Sequence, residues 1–217
     1  KNNGLVKTIN FRNPRYLGDP INAVKIFNDL FADELIILDI YATAQKRSIG
    51  IDFIKEIAEE AYMPFAVGGG VKSISEFEKL ISNGAEKVVL NTHAHKRPNL
   101  ITDCAKTFGS QAVVVSIDVK KNFFGRYNIF TCNGKNKSNV SIIKYAKEIE
   151  DRGAGEILVN SINMDGKMTG YDLKLIKIIA ESVNIPVIAC GGAGEINDFS
   201  LAINHGAHAV SAGSMFV

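Results

Sequence analysis

A glycine-rich turn that occurs twice, at a fixed interval, most restricts how this chain can fold. Val67-Gly68-Gly69-Gly70-Val71 stands where an apolar strand, Pro64 to Val67, gives way to a helix opening at Ser73. Cys190-Gly191-Gly192-Ala193-Gly194 repeats the arrangement after the strand Ile185 to Ala189. The flanking segments repeat as well. Asn83-Gly84-Ala85-Glu86-Lys87-Val88 matches His205-Gly206-Ala207-His208-Ala209-Val210, and Ala32-Asp33-Glu34-Leu35 matches Ala154-Gly155-Glu156-Ile157, both at an offset of 122 positions. So long a period exceeds the roughly 20 to 50 residues of a solenoid unit. It predicts two similar halves, roughly 1–110 and 111–217, in one domain of residues 1–217.

Between the turns, short apolar runs alternate with amphipathic segments. Glu34 to Ile40 is nearly continuous in apolar, β-branched residues, which suits a strand buried on both faces. Helices are predicted from Asp19 to Phe31, capped by Asp19 with Pro20 at the first position, and at 51–61, where Ile54, Ile57, Ala58 and Ala61 form an apolar stripe. Ser73 and Glu76 have capping-box spacing for a helix to Ser82. Further helices are expected near 98–107, 139–151, 172–182 and 196–204. Strands are expected from about 34, 63, 87, 111, 156, 185 and 207, with a strand-like piece, Tyr127 to Thr131, inside the excursion 120–137. Leu5 to Phe11 reads as a surface hairpin strand, and Arg12 to Gly18 as a loop.

Strand and helix in regular alternation argue for a parallel α/β architecture. Seven secure strands are one short of a (β/α)8 TIM barrel. The reading is such a barrel, with the given chain lacking its first strand and last helix; a doubly wound open sheet is the alternative. The chain has 46% hydrophobic residues, enough for one sizeable core, and its formal charge of +2 argues against a dedicated nucleic-acid binder. Three cysteines without CxxC spacing indicate neither a disulfide framework nor a zinc site. With no apolar run of membrane-spanning length and no signal-peptide pattern at Lys1-Asn2-Asn3-Gly4, a soluble cytoplasmic protein is expected.

A barrel of this kind works at the carboxyl ends of its strands. Those ends deliver Asp39, Gly68 to Gly70, Asn91-Thr92, Asp118, Ser161, Gly191-Gly192 and Gly213-Ser214. Glycines before a helix let backbone N–H groups approach an oxyanion, so both turns suit phosphate; allowing a tight strand-to-helix turn is the bland alternative. Asp118 follows Val113-Val114-Val115-Ser116-Ile117 and is a candidate acid/base, since desolvation at an apolar mouth raises a carboxyl pKa. An Asp that only accepts a loop hydrogen bond would look the same. Asp165-Gly166 is explained equally by turn chemistry and by ligand binding. No metal is expected at His93-Ala94-His95, and Lys120, Lys121, Arg126 and Lys135 read as a solvated face.

Several segments together are specific: Ala32-Asp33-Glu34-Leu35 to Asp39, Val67 to Gly70, Gly109-Ser110-Gln111 to Asp118, Gly153 to Leu158, Asp165-Gly166 with Gly170-Tyr171-Asp172, and Gly191 to Gly194. Through them the chain resembles the cyclase subunit family of imidazole glycerol phosphate synthase, a (β/α)8 barrel of histidine biosynthesis. The resemblance implies a lyase without cofactor or metal. A glutaminase partner on the amino-terminal face sends ammonia through the barrel to a bisphosphate ribulosyl-carboxamide, which two aspartates cleave and cyclise. Asp118 matches one aspartate; the other is expected upstream of Lys1. Lys7 matches a ligand-binding lysine. Gly69, Gly70, Asn91, Thr92, Gly166, Gly192, Ala193, Gly213 and Ser214 match the phosphate-binding positions, and Asp165 a loop aspartate. Glu34, Lys87 and Glu156 match three of four charges that gate ammonia at the barrel foot, and Glu86 and Asp33 beside them could face the partner.

The chain also departs from that pattern. Val89 stands where a small hydroxyl residue is usual, and Asn160 and Lys167 where threonines are usual, each changing hydrogen bonding to the middle of the ligand. Leu5 to Phe11 and Asn13 to Pro20 are similar to a paralogous barrel associated with amidination of bacterial surface sugars. Three readings therefore stand side by side: the histidine-pathway cyclase, the amidination paralogue and a non-catalytic phosphosugar-binding barrel.

Overall fold

Seven parallel strands, hydrogen-bonded side by side, form the frame of the computed structural model, which describes residues 4–216. A hairpin of β1 (Leu5–Ile9) and β2 (Arg12–Gly18) precedes α1 (Pro20–Asp29). Then follow β3 (Leu35–Leu38), α2 (Ile51–Glu60), β4 (Phe65–Gly68), α3 (Ile74–Ile81), β5 (Lys87–Leu90), α4 (Thr92–Lys96), α5 (Asn99–Phe108) and β6 (Val113–Lys121). A second hairpin continues β6 into β7 (Tyr127–Thr131) and β8 (Asn136–Lys137). The order resumes with α6 (Ile142–Asp151), β9 (Glu156–Ser161), α7 (Leu173–Ala180), β10 (Val187–Cys190), α8 (Ile196–Asn204) and β11 (Ala209–Ser211). The parallel run is β3-β4-β5-β6-β9-β10-β11, with helices between its members. This is the architecture of a (β/α)8 barrel, with seven staves among the described residues.

The period of two along each strand sorts side chains to opposite faces. Val67, Val88, Val113, Val115, Ile157, Val159 and Val187 are buried in one cluster with Ile54 and Ile57 of α2, Phe77 and Leu80 of α3, Ile149 of α6 and Ile179 of α7. Their neighbours of opposite parity, Ala66, Val89, Val114, Leu158 and Ile188, form a separate small cluster with Ile36. The first is the barrel wall against its helices; the second fills the lumen. Nearly continuous apolar strands are what this two-sided burial demands.

Helix starts follow local chemistry. The Asp19 carboxylate accepts from Ile21 N–H at 2.9 Å with Pro20 at the first position. Ser73 Oγ accepts from Glu76 N–H at 3.2 Å, but Glu76 reaches back to Lys72 N–H at 2.8 Å instead of Ser73, so the expected capping box is shifted by one residue. Three elements differ from expectation. Arg12 to Gly18 is a strand and not a loop: paired, among the described residues, with β1 alone and largely exposed, it has no buried face to impose alternation, and an isolated two-stranded ribbon tolerates Pro14. Thr92 to Lys96 forms a one-turn helix where a loop was expected, and β8 is too short for any pattern to announce it.

The two glycine turns are built alike. Gly70 (φ 72°) and Gly192 (φ 117°) lie in the left-handed half of backbone space, each pressed against a carbonyl of the preceding βα loop: Arg47 O beside Gly70, Gly170 O beside Gly192. Ile49 N–H donates to Gly69 O at 3.0 Å, and Gly170 N–H to Gly192 O at 2.9 Å. A side chain at either position would strike backbone. Gly70→Ala is therefore expected to cost about 2–4 kcal/mol, whereas Gly213→Ala, with open space where its Cβ would stand, should stay within about 0.5 kcal/mol. Denaturant unfolding of the two variants checks the contrast.

Candidate active site at the barrel mouth

Asp118 sits inside the upper lumen, only 7% exposed, on the inward parity of β6. Its Oδ2 accepts from Asn91 Nδ2 at 2.9 Å and its Oδ1 from Ser116 Oγ at 3.3 Å. Its hydrogen-bond partners are neutral, and no salt bridge reaches it among the described residues. Burial therefore dominates and pushes its pKa up to about 7; the bonds from Asn91 and Ser116 pull it down, and the nearby charge of Asp165 raises it. A carboxyl poised there can take or give a proton at neutral pH.

The β1–β2 hairpin is fastened to the mouth. Asp165 Oδ2 accepts from Thr8 Oγ at 2.7 Å and from Phe11 N–H at 3.0 Å, while Asn10 N–H donates to Asp165 O at 3.1 Å. Gly166 (φ 72°) packs directly against Thr8 O. Lys7 Nζ donates to Ser214 O at 3.1 Å, joining the hairpin to the turn after β11. Lys7, Asp165, Gly166 and Ser214, far apart in sequence, thus come together around the hairpin.

At the first glycine turn the N–H groups of Gly70 and Val71, and at the second those of Gly192 and Ala193, make no hydrogen bond among the described residues. They remain available donors next to helix N-termini. At the second turn the buried Asp198 takes the following pair, Gly194 N–H (2.8 Å) and Glu195 N–H (3.1 Å). Asn91 and Thr92 lie beside the first turn but carry internal bonds: Asn91 holds Asp118, and Thr92 Oγ accepts from Cys132 N–H at 2.9 Å, tying down the β7–β8 turn. Gly213 stands exposed beyond β11.

At the opposite end of the lumen, Lys87 Nζ bridges two carboxylates, Glu34 at 2.8 Å and Glu156 at 2.9 Å. Burial lowers the Lys87 pKa, but the hydrogen bonds and charges of Glu34 and Glu156 outweigh it and leave it raised. Lys87 is charged in this setting. Between this foot and Asp118 lies the apolar lumen layer of Ile36, Ala66, Val89, Val114, Leu158 and Ile188.

Some residues at this site escaped the sequence reading. Ser116 supports Asp118 from two positions back on the same strand face, a relation that period two could have exposed. Asn160, already singled out in the sequence where threonine is usual, flanks Asp118's level of the lumen through the register Asp118↔Asn160, and Cys190, which nothing in the sequence assigned to the site, follows through Asn160↔Cys190. The Cys190 thiol is pushed up to about 12 by burial, so it stays protonated. The bond from Asn91 to Asp118 joins two strands and has no local signature.

The histidine biosynthesis protein family model matches residues 1–217. The chain is 43% identical to the imidazole glycerol phosphate synthase subunit HisF of Alkaliphilus metalliredigens, over 98% of this chain and 84% of that protein. It is 45% identical to the subunit of the same name from Thermococcus onnurineus (100% and 85%) and 42% identical to that of Petrotoga mobilis (100% and 86%).

The buried carboxyl yields a stability signature. Its pKa is higher folded than unfolded, so its favourable contribution is complete below about pH 4 and is lost as pH rises through about 7. Asp118→Asn keeps an acceptor for Asn91 without the charge. Relative to the parent chain it is expected to be near neutral at pH 4 and more stable at pH 8, by on the order of 2–4 kcal/mol. Thermal melts at the two pH values measure this.

Proposed function

The chain belongs to the histidine biosynthesis protein family, and from that premise we propose that it is the cyclase-type subunit of an imidazole glycerol phosphate synthase. In this reading it is a lyase that uses ammonia from a glutaminase partner to cleave and cyclise a bisphosphate ribulosyl-carboxamide to imidazole glycerol phosphate. The observation that carries it is the axial order of the lumen: a charged foot of Glu34, Lys87 and Glu156, an apolar middle, and the proton-exchanging Asp118 on top.

That order supports a path for a small neutral base. Of ammonia and ammonium, only the neutral form crosses the apolar layer without a large desolvation cost, so the charged foot admits the base and the layer above it keeps back the ion. At the top, addition of ammonia to a carbonyl requires a proton to leave nitrogen and another to reach oxygen, which a carboxyl with a pKa of about 7 performs efficiently. Gly69, Gly70, Asn91 and Thr92 hold one ligand phosphate, and Gly192, Ala193, Gly213 and Ser214 the other. Lys7, with Asp165 and Gly166, closes the hairpin over the middle. The partner covers the foot, since ammonia must enter there shielded from water. No helix among the described residues is long and apolar enough to cross a membrane. The working compartment proposed for this biosynthetic enzyme is the cytoplasm. The duplicated turns belong to two half-barrels of one domain.

A second reading, the barrel subunit of a sugar-amidating enzyme, is motivated by Val89, Asn160 and Lys167: Val89 puts an apolar side chain in the lumen layer below Asp118, and Asn160 stands opposite Asp118 on the neighbouring strand. Rescue of a histidine auxotroph by the gene separates the two: growth supports the cyclase and excludes the alternative.

With the bisphosphate ligand and ammonium salt supplied directly, the protein expressed from the whole gene should form imidazole glycerol phosphate, and Asp118→Asn should lower kcat by about 10³-fold. Lys87→Met should cost stability by roughly 1–3 kcal/mol, because Glu34 and Glu156 then face each other without a cation. It should depress glutamine-supported turnover more than ammonium-supported turnover. Steady-state assays with the two nitrogen sources read this out.

A further inference from the structure

Beside the foot, two of the largest exposed apolar side chains are carried on neighbouring loops that share one backbone anchor. Phe31 is 90% exposed and Tyr62 89%, with Leu30 at 62%. Phe31 lies three residues before Glu34, and Tyr62 three before Phe65, on the loops that enter the paired strands β3 and β4. Asn28 clamps both loops: its backbone oxygen accepts from Phe31 N–H at 3.1 Å and its Oδ1 from Tyr62 N–H at 3.0 Å, while its Nδ2 donates to Glu60 O at 2.7 Å.

Phe31 also has a φ of 54°, the left-handed region in which a bulky side chain is strained and glycine is at ease. A residue that exposes an aromatic ring to water and strains its backbone contributes nothing to the fold of this chain alone. Rigid, preorganised aromatics of this sort are what binding anchors are made of.

The surroundings select the occupant. Asp29, Asp33 and Glu59 are exposed on the same loops and helix ends, Glu86 is exposed on the next loop, which enters β5, and Lys25 is already paired with Glu60 at 3.4 Å. A second copy docked by a two-fold axis would set acid against acid. A different protein, with an apolar pocket rimmed by lysine or arginine, complements the patch in both respects.

We propose that Phe31 and Tyr62, on the two loops that Asn28 clamps, are the anchor by which the glutaminase subunit grips the barrel foot, entering an apolar, cation-rimmed pocket on that partner. This rests on the reading of the foot as the ammonia entrance. Phe31→Gly removes the ring and relieves the strained φ, so the fold is retained.

The test is calorimetric titration of the full chain with its cognate glutaminase subunit, beside turnover with glutamine and with ammonium salt. Phe31→Gly and Tyr62→Ser are each expected to weaken binding by about tenfold or more, steepening in the double variant, with ammonium-supported turnover within about twofold of the parent. Parent affinity should also fall as salt rises, by screening of the acidic rim. Unchanged affinity in the double variant overturns the proposal. So does a parent chain that does not bind the glutaminase, or one that self-associates through Phe31. A parent chain that binds the glutaminase but makes no product overturns the enzymatic reading and leaves the anchor supported.

Discussion

Everything inside a narrow barrel shares one lumen with little water, so a polar group that points inward goes unsatisfied unless it finds a partner there, as Asn160 Oδ1 does not. Lys87 and Asp118 show two solutions to that constraint. Lys87 meets two carboxylates at 2.8 and 2.9 Å and keeps its charge. Among the described residues Asp118 meets only the neutral Asn91 and Ser116, which satisfy its oxygens without compensating its charge, and its pKa rises to about 7. One end of the lumen is thus held ionised and the other balanced between states. The apolar layer between them keeps the two regimes apart.

The glycine turns place ligand donors through the same packing that shapes the wall. Gly70 and Gly192 are required because Arg47 O and Gly170 O press on them, whatever ligand is present. Tight loop packing and anion binding are compatible uses of one turn: the carbonyl contact fixes the backbone, and the N–H groups of Gly70, Val71, Gly192 and Ala193, unbonded among the described residues, are free to donate to the phosphates of the proposed ligand. The β1–β2 hairpin, fastened by Asp165 to Thr8 and Phe11, lies against the same mouth.

Most of the frame was readable from residues because burial on two faces leaves a strong pattern. The seven staves and the long helices have apolar runs or stripes that local chemistry punctuates at Asp19, Ser73 and the glycines. Arg12 to Gly18 and Thr92 to Lys96 were missed for the opposite reason: one is exposed on both faces, and the other is a single turn stabilised by its place at the end of β5. Asp118 was legible as a carboxyl after an apolar strand, but its bond to Asn91 links strands β5 and β6 and exists only after folding. Asn28's clamp on Phe31 and Tyr62 joins two loops in the same way.

The central claim is that one ligand spans the mouth with a phosphate at each glycine turn and its reacting middle over Asp118. A crystal structure of the Asp118→Asn chain soaked with the bisphosphate ribulosyl-carboxamide tests it directly. One phosphate is expected on the Gly70 and Val71 N–H groups, the other on those of Gly192 and Ala193, and the ligand's central carbonyl within hydrogen-bonding reach of residue 118. Both phosphates bound outside these turns, or a ligand whose middle lies away from residue 118, would contradict it.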